Sequence, residues 1–303
     1  MSSTGSLAVF RIDPIHNHES PLIHLATSRC DDLDQDVLFL QCNWHPLDTY
    51  ILGLTTSTGL ARLVHLDEQW RIRDSLDLDI PNSLEAWSIA FSPRQGDEAQ
   101  DHCTIYCGGD DSTLRYNTYQ TKLGSSDDAS SSEALFAPIT IKGVHDAGVT
   151  AILPLPLGDG AGGRLVVTGS YDDHIRLLAI HDLDKTYGMK RVKALAEENL
   201  GGGVWRLDLI EHCQLADGGV KVLILASCMH GGSRIVEIRQ PSEDQDWTWV
   251  ILARFEEHQS MNYGCSFVTQ GEGSKRRLQC VSTSFYDKLL CLWEYFPSND
   301  DSG

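Results

Sequence analysis

The sequence predicts an all-β fold built as a β-propeller, and three observations lead there. Apolar residues come in runs of five to nine, separated by polar or Gly-rich turns. Sustained amphipathic patterns of helical period are rare. One turn segment recurs along the chain, in which a small residue and an aspartate lead into an apolar strand.

Taken in order, the strand-like runs begin with LAVFRI (7–12), VLFLQCNW (37–44), YILGLTT (50–56), LARLVHL (60–66), WSIAFS (87–92), TIYCGG (104–109) and LRYNTY (114–119). They continue with VTAILPL (149–155), RLVVTGS (164–170), IRLLAI (175–180), VWRLDLI (204–210), KVLILASC (221–228) and RIVEI (234–238). WTWVILARF (247–255), CSFVTQ (265–270), LQCVSTS (278–284) and LLCLWEY (289–295) complete the series. β-Branched and aromatic side chains recur in them, and these fit a pleated, half-buried surface.

The recurrent turn appears in CGGDDSTLRYNTY (107–119), TGSYDDHIRLLAI (168–180) and TSFYDKLLCLWEY (283–295). Looser copies are LTTSTGLARLVHL (54–66) and SCMHGGSRIVEI (227–238). The turns, near Gly59, Asp111, Asp172, Gly231 and Asp287, lie about 50 to 60 residues apart. A WD-repeat blade occupies roughly 40 to 45 residues, so this spacing is that of WD blades carrying inserted loops. A blade cannot bury both faces alone and needs neighbours. The expectation is a single WD-repeat β-propeller over residues 1–296, with six or seven blades. LAVFRI stands too near the start to have strands before it, so the first blade is expected to be incomplete or to borrow a strand from the last. The Ser- and Asp-rich segment 122–136 reads as a flexible inserted loop, and 183–200 as a connector with a short helical turn. The tail 297–303 is expected to be disordered.

Among 303 residues, 24 are Lys or Arg and 43 are Asp or Glu, a net charge of −19. That balance argues against sequence-independent nucleic-acid binding, which needs clustered cations on phosphates, and it suits a basic partner. Hydrophobic residues, 41% of the chain, suffice for a core and exclude a wholly disordered chain. No run of about 18 apolar residues occurs, and the start lacks a basic segment followed by a long apolar one. A cytoplasmic protein without a membrane span or secretory signal is therefore expected. Nine scattered cysteines without CxxC spacing read as free thiols, and neither a metal site nor a cofactor is expected.

Several segments go beyond what a blade needs: SLEAWSIAFSP (83–93), YCGGDDSTLR (106–115), HDAGVTAI (145–152), TGSYDDHIRL (168–177), GGGVWRLDL (201–209), ASCMHGG (226–232), HQSMNYGCSF (258–267) and TSFYDKLLCLW (283–293). In a WD blade, the loop leading into the innermost strand and the turn between the second and third strands lie on one face. These segments fall in those two places, so one rim should gather histidines, carboxylates and aromatics. Asp172, Asp287, His145 and His258 also match the aspartate and histidine that hold a blade together, and Trp293 the structural tryptophan. His230 stands apart, because the turn aspartate is replaced beside it by Gly231. An exposed loop histidine suits a general base. His230, Asp172, Glu85 and His258 are the candidates for acid–base work. There is no GxSxG elbow. Ser170, Ser284 and Cys228 lie near the turns as nucleophile candidates, and Gly202 and Gly203 could offer N–H groups to an oxyanion.

The ordered set of segments resembles the diphthine methyl esterase family, WD-repeat proteins of the diphthamide pathway also called diphthine methyltransferase-like. The resemblance covers about residues 37–295 and rests most on GGGVWR, CMHGG and SFYD. It implies hydrolysis of the methyl ester of methylated diphthine on translation elongation factor two, after which another enzyme amidates the carboxylate. That factor and other diphthamide enzymes are the implied partners. The implied substrate carries a trimethylammonium group, for which Tyr171, Trp205, Tyr286 and Tyr263 are candidate cation–π walls. A second reading is a non-catalytic WD-repeat scaffold that presents the same factor to other enzymes.

Overall fold

The computed structural model describes residues 5–13, 15, 21–93, 102–120, 133–215, 218–242, 244–271 and 276–297. All regular structure among them is β, in twenty-two strands. The chain divides into two compact units, Met1–Gly143 with Asp182–Lys190, and Val144–His181 with Arg191–Gly303.

The first unit opens with a two-stranded sheet, β1 (Ser6–Ile12) and β2 (Leu22–Arg29). A four-stranded blade follows: β3 (Phe39–Trp44), β4 (Ile51–Thr56), β5 (Ala61–Leu66) and β6 (Ile72–Asp77). The next blade is β7 (Ala86–Phe91), β8 (His102–Gly109) and β9 (Leu114–Gln120), with β10 (Glu133–Ala134) and β11 (Ile139–Ile141) both pairing to β9. β4 and β5 are buried along their whole length, so they read as near-continuous apolar runs. Ile51, Ala61 and Leu63 pack against Ile89, Ile105 and Tyr119 of the following blade. Arg62 is 2% exposed and its guanidinium forks between Asp32 and Asp77, at 2.9 and 2.7 Å. One carboxylate of the acidic run 31–36 is thus tied to this blade, and the ion pair holds Asp32 below its ordinary pKa.

The second unit holds three blades. They are β12 (Val149–Gly158), β13 (Gly163–Ser170), β14 (His174–His181) and β15 (Val192–Asn199); then β16 (Arg206–Gln214), β17 (Val220–Ser227), β18 (Ser233–Gln240) and β19 (Thr248–Phe255); then β20 (Asn262–Gln270), β21 (Arg277–Ser284) and β22 (Leu290–Tyr295). Leu165, Val167 and Ile175 of one blade meet Val222, Ile224 and Val236 of the next. Leu223, Leu225 and Ile235 in turn meet Cys280, Phe267 and Trp293.

Five blades are present among the described residues, not six or seven. The run LAVFRI, expected to belong to a further blade, pairs among the described residues with β2 in a two-stranded sheet. The segment 183–200 is also corrected. Turns at 183–189 are followed by β15, the outer strand of its blade, which pairs with β14 from Ile180↔Val192 to His174↔Asn199. Its polar composition reflects a strand with solvent on its outer side. Within the inserted segment 122–136, residues 122–132 lie outside the described residues. Glu133–Ala134 form β10, and Asn117 Nδ2 donates to Phe136 O at 2.7 Å. Of the tail, residues 298–303 lie outside the described residues. No helix among the described residues is long and apolar enough to cross a membrane.

Candidate functional site

The turn aspartates first secure the blades. Asp172 accepts from the Asp146 N–H at 2.9 Å, from the His174 N–H at 3.0 Å and from Arg176 Nη1 at 2.9 Å. Asp287 accepts from the Gln259 N–H at 2.9 Å and from Ser260 Oγ at 2.6 Å. In the first unit Asp111 accepts from the Ser83 N–H at 2.9 Å and forks with Arg115. Each thereby latches the loop leading into its blade.

The residue before each latched amide points into the blade. His145 Nε2 meets Thr168 Oγ1 at 2.8 Å, His258 Nε2 meets Ser282 Oγ at 2.8 Å, and Asn82 Nδ2 donates to Cys107 Sγ at 3.1 Å. Trp293 Nε1 also donates to Ser282, at 3.2 Å. His258 and Asp172, expected among the catalytic groups, are therefore placed in the blade framework instead. The Asp172 carboxylate is spent on loop amides and a buried arginine, and His258 Nε2 on the Ser282 hydroxyl.

These latches respond to acid. Burial lowers His145 to about 4, so its ring is neutral in the fold. The unfolded chain takes up that proton as pH falls below the ordinary value of 6.5, which favours unfolding. Asp111 is also buried in part, yet Arg115 and Ser83 hold it down at about 2. Its stabilising share is full above 3.8 and is lost as pH falls toward 2. Stability should thus decline from near neutrality downward, measured as the urea midpoint at successive pH values. His145→Gln should remove the upper part of that decline, and an unchanged pH dependence in the variant would count against the assignment.

A different set of residues gathers above the latches of the second unit. The rings of Tyr171 and Trp205 lie 5.7 Å apart, and those of Trp205 and Tyr263 5.1 Å apart edge to face. Phe285 continues the row from Tyr263 at 6.2 Å, and Tyr286 from Phe285 at 5.1 Å. The first three rings are half-buried, whereas Phe285 and Tyr286 are exposed. The contacts step from blade to blade because Tyr171 follows β13, Trp205 precedes β16 and Tyr263 stands at the start of β20. Four aromatics expected at the site are thus connected in one row.

Gly202 and Gly203 are buried where their loop presses on the β17–β18 turn. A Cβ on Gly202 would come within 2.2 Å of Cys228 O, and one on Gly203 within 2.8 Å of Met229 Sδ. Close approach alone accounts for glycine at both positions. In that turn Cys228 N donates to Gly232 O, leaving Met229, His230 and Gly231 at the tip. His230 is exposed, and its ring has no hydrogen-bond partner among the described residues. Arg234, 2% exposed, pairs with Glu256 at 2.7 Å and donates to Leu200 O at 3.2 Å, so this blade ties its leading loop without a turn aspartate. His230 is left without a latching task.

Two of the three nucleophile candidates, Ser170 and Cys228, are committed. Ser170 Oγ donates to Ala147 O at 3.0 Å and accepts from Asp172 N at 3.2 Å. Cys228 is fully buried and its thiol is pushed up to about 12, so it stays protonated. Glu85 stands in the first unit, where its carbonyl accepts from Asp110 N at 2.9 Å.

One residue escaped the sequence reading. Asp208 lies half-buried on β16, and burial holds its carboxyl above its ordinary value against the opposing pull of Arg206. A carboxylate between Leu207 and Leu209 in a strand was the available signal. No cluster of His, Cys, Asp or Glu suited to a metal ion occurs among the described residues.

No protein-family model matches the chain. A protein of Schizosaccharomyces pombe named diphthine methyltransferase is 28% identical over 297 residues, spanning 96% of this chain and 73% of that protein. Its namesake in Saccharomyces cerevisiae is 26% identical over 332 residues, spanning 96% and 78%. The human protein of that name is 24% identical, spanning 88% of this chain but 56% of its own length. Among solved structures, Sqt1 of Chaetomium thermophilum bound to the N-terminus of ribosomal protein L10 superposes with a TM-score of 0.55 at 14% identity, covering 98% of this chain and 66% of that one. Saccharomyces cerevisiae Sqt1 gives 0.54 at 12%, covering 98% and 80%. Identities this low speak to the fold alone, a WD-repeat-like β-propeller. Over most of its length, then, the chain is similar to proteins of one name from yeasts to mammals, the diphthine methyltransferases.

Proposed function

We propose that this protein acts in the diphthamide pathway as a hydrolase. It would remove the methyl ester from methylated diphthine on elongation factor two, leaving a carboxylate for later amidation. The observation that carries the reading is the row Tyr171–Trp205–Tyr263, a set of aromatic faces suited to an alkylated ammonium group. His230, exposed on the neighbouring turn, is the group proposed to take a proton from the attacking water. Tyr286 and Phe285 extend the apolar surface toward the substrate protein. Gly202 and Gly203 keep the proposed oxyanion role, in which their N–H groups face the ester carbonyl.

The relatives are named for methyl transfer, and a scaffold would present the same surface, so turnover decides. Purified protein is incubated with elongation factor bearing methylated diphthine, and methanol is measured. Hydrolysis releases one methanol per ester and leaves a factor lighter by one methylene. Intact ester after prolonged incubation with folded protein would refute the hydrolase reading and leave the scaffold.

A further inference from the structure

We infer that a cavity in the first unit, where the β1–β2 sheet meets the β3–β6 blade, is a binding site for a small aromatic carboxylate. The cavity measures about 370 Å³ and is lined from both sheets and from the turns between their strands. That volume lies within the range of small-molecule pockets. None of its residues takes part in the hydrolysis proposed above.

The floor is apolar. Val9, Leu25 and Trp70 line it and also belong to the cluster that joins the two sheets. The β1–β2 ladder is irregular here: Val9 pairs with Ala26 and Phe10 with His24, so Leu25 is an extra residue in β2. Such a bulge bends and twists the ribbon and re-aims its side chains. Val9, Phe10 and Arg11, three consecutive residues of β1, thereby border one cavity, which flat strands with alternating sides would not allow. From the blade, Trp44 at the end of β3 and Thr49 ahead of β4 complete the rim. Trp44 is 52% exposed and Phe10 50%, so apolar surface stands uncovered at the mouth. Trp70 has φ +64, a left-handed conformation that a bulky side chain adopts only at a cost. Asp67 holds that turn, its carboxylate accepting from the Gln69 and Arg71 N–H groups at 2.9 Å and its carbonyl from Trp70 N at 2.9 Å. Glycine would sit there without strain, so what the position gains from tryptophan is the ring. That ring stacks on Tyr50 at 5.1 Å and borders the cavity.

Charge chooses the ligand. Among the described residues Arg11 is the only charged one lining the cavity, and no carboxylate does. The field at its mouth is thus locally positive although the chain carries −19 in all, because exposed charges beyond about 8 to 10 Å are screened. A cation would find no counter-charge there. A guanidinium offers paired N–H donors that match a carboxylate, and the Thr49 hydroxyl adds a further donor. A phosphate dianion carries more acceptors than this one fork and one hydroxyl satisfy. The rings of Phe10, Trp44 and Trp70 favour a flat apolar body behind the carboxylate.

Calorimetric titration of the whole chain with indole-3-propionate tests the site, with indole-3-propionamide as the neutral counterpart. The carboxylate should bind about tenfold more tightly than the amide, the effect of one charge-assisted contact. Arg11→Gln should erase that preference, and Trp44→Ala should weaken both ligands. Both side chains are exposed, so neither variant should move the melting temperature by much. Added salt should weaken the carboxylate and leave the amide unchanged. Equal affinity for acid and amide, a preference that survives Arg11→Gln, or no binding to the folded wild type would overturn the inference. Sedimentation as a dimer that Trp44→Ala disperses would also overturn it, by giving the cavity to a second copy of the chain.

Discussion

Replacing Asp172 with Ala should lower the unfolding free energy by about 3 to 5 kcal/mol, the range for breaking a buried ion pair from one side. Asp172 and Arg176 are 8% and 6% exposed, so little water is at hand to replace the lost carboxylate. The variant also strands the Asp146 and His174 N–H groups, which release the leading loop of the β12–β15 blade. Arg176 keeps Glu197 at 3.2 Å, a partner that is 64% exposed, so the loss should fall at the lower end of that range. Urea denaturation measures the change. Asp172→Asn, which keeps one carbonyl acceptor, should lose less than Asp172→Ala. A change below about 1 kcal/mol for Asp172→Ala, within the usual scatter of surface substitutions, would return Asp172 to the list of catalytic candidates.

His230→Ala should behave in the opposite way. Loss of a general base slows a reaction by about 100- to 10,000-fold, and methanol release should drop by that order. The melting temperature should hardly move, because the imidazole is exposed and makes no hydrogen bond among the described residues. His258→Ala supplies the contrast. Its ring is buried, bonded to Ser282 and 5.6 Å from the Phe255 ring, so stability should fall while the folded fraction keeps its rate. Full activity in His230→Ala would send the search for the base to other groups of the rim, and unfolding would show that the turn depends on the side chain.

How much of this was legible in the sequence depends on which face of a strand is wet. Every apolar run named at the outset is a strand. The strands missed were β2, β6, β10, β11 and β15, and all but the short β10 and β11 are outer or hairpin strands with a solvent side. VKALAEEN is the clearest instance: its Lys193 and Glu197 are exposed, which erased the apolar signal that marked β13 and β14. The aromatic row was legible because Tyr171, Trp205 and Tyr263 interrupt motifs a blade does not need. The roles of Asp172 and His258 were not separable by sequence, since latch and catalyst draw on the same residue types. Asp208 hid for a different reason. Alternation within β16 hands it to the face of Arg206, and only the pairing of β16 with β17 shows which neighbours that face meets.

The way strands pair has a consequence for how the chain acquires its shape. Among the described residues, every ladder but that of β11 on β9 joins strands consecutive in sequence. The latches are as local: Asp146 to Asp172 spans 26 residues, and Ser83 to Asp111 and Gln259 to Asp287 each span 28. Closing loops of that size costs little extra entropy per added residue, and low separation between partners favours rapid folding. Each blade can therefore complete its hydrogen bonds as soon as its own stretch leaves the ribosome. Its apolar faces stay wet until the next blade arrives, so synthesis delivers each sheet shortly before the one that must cover it.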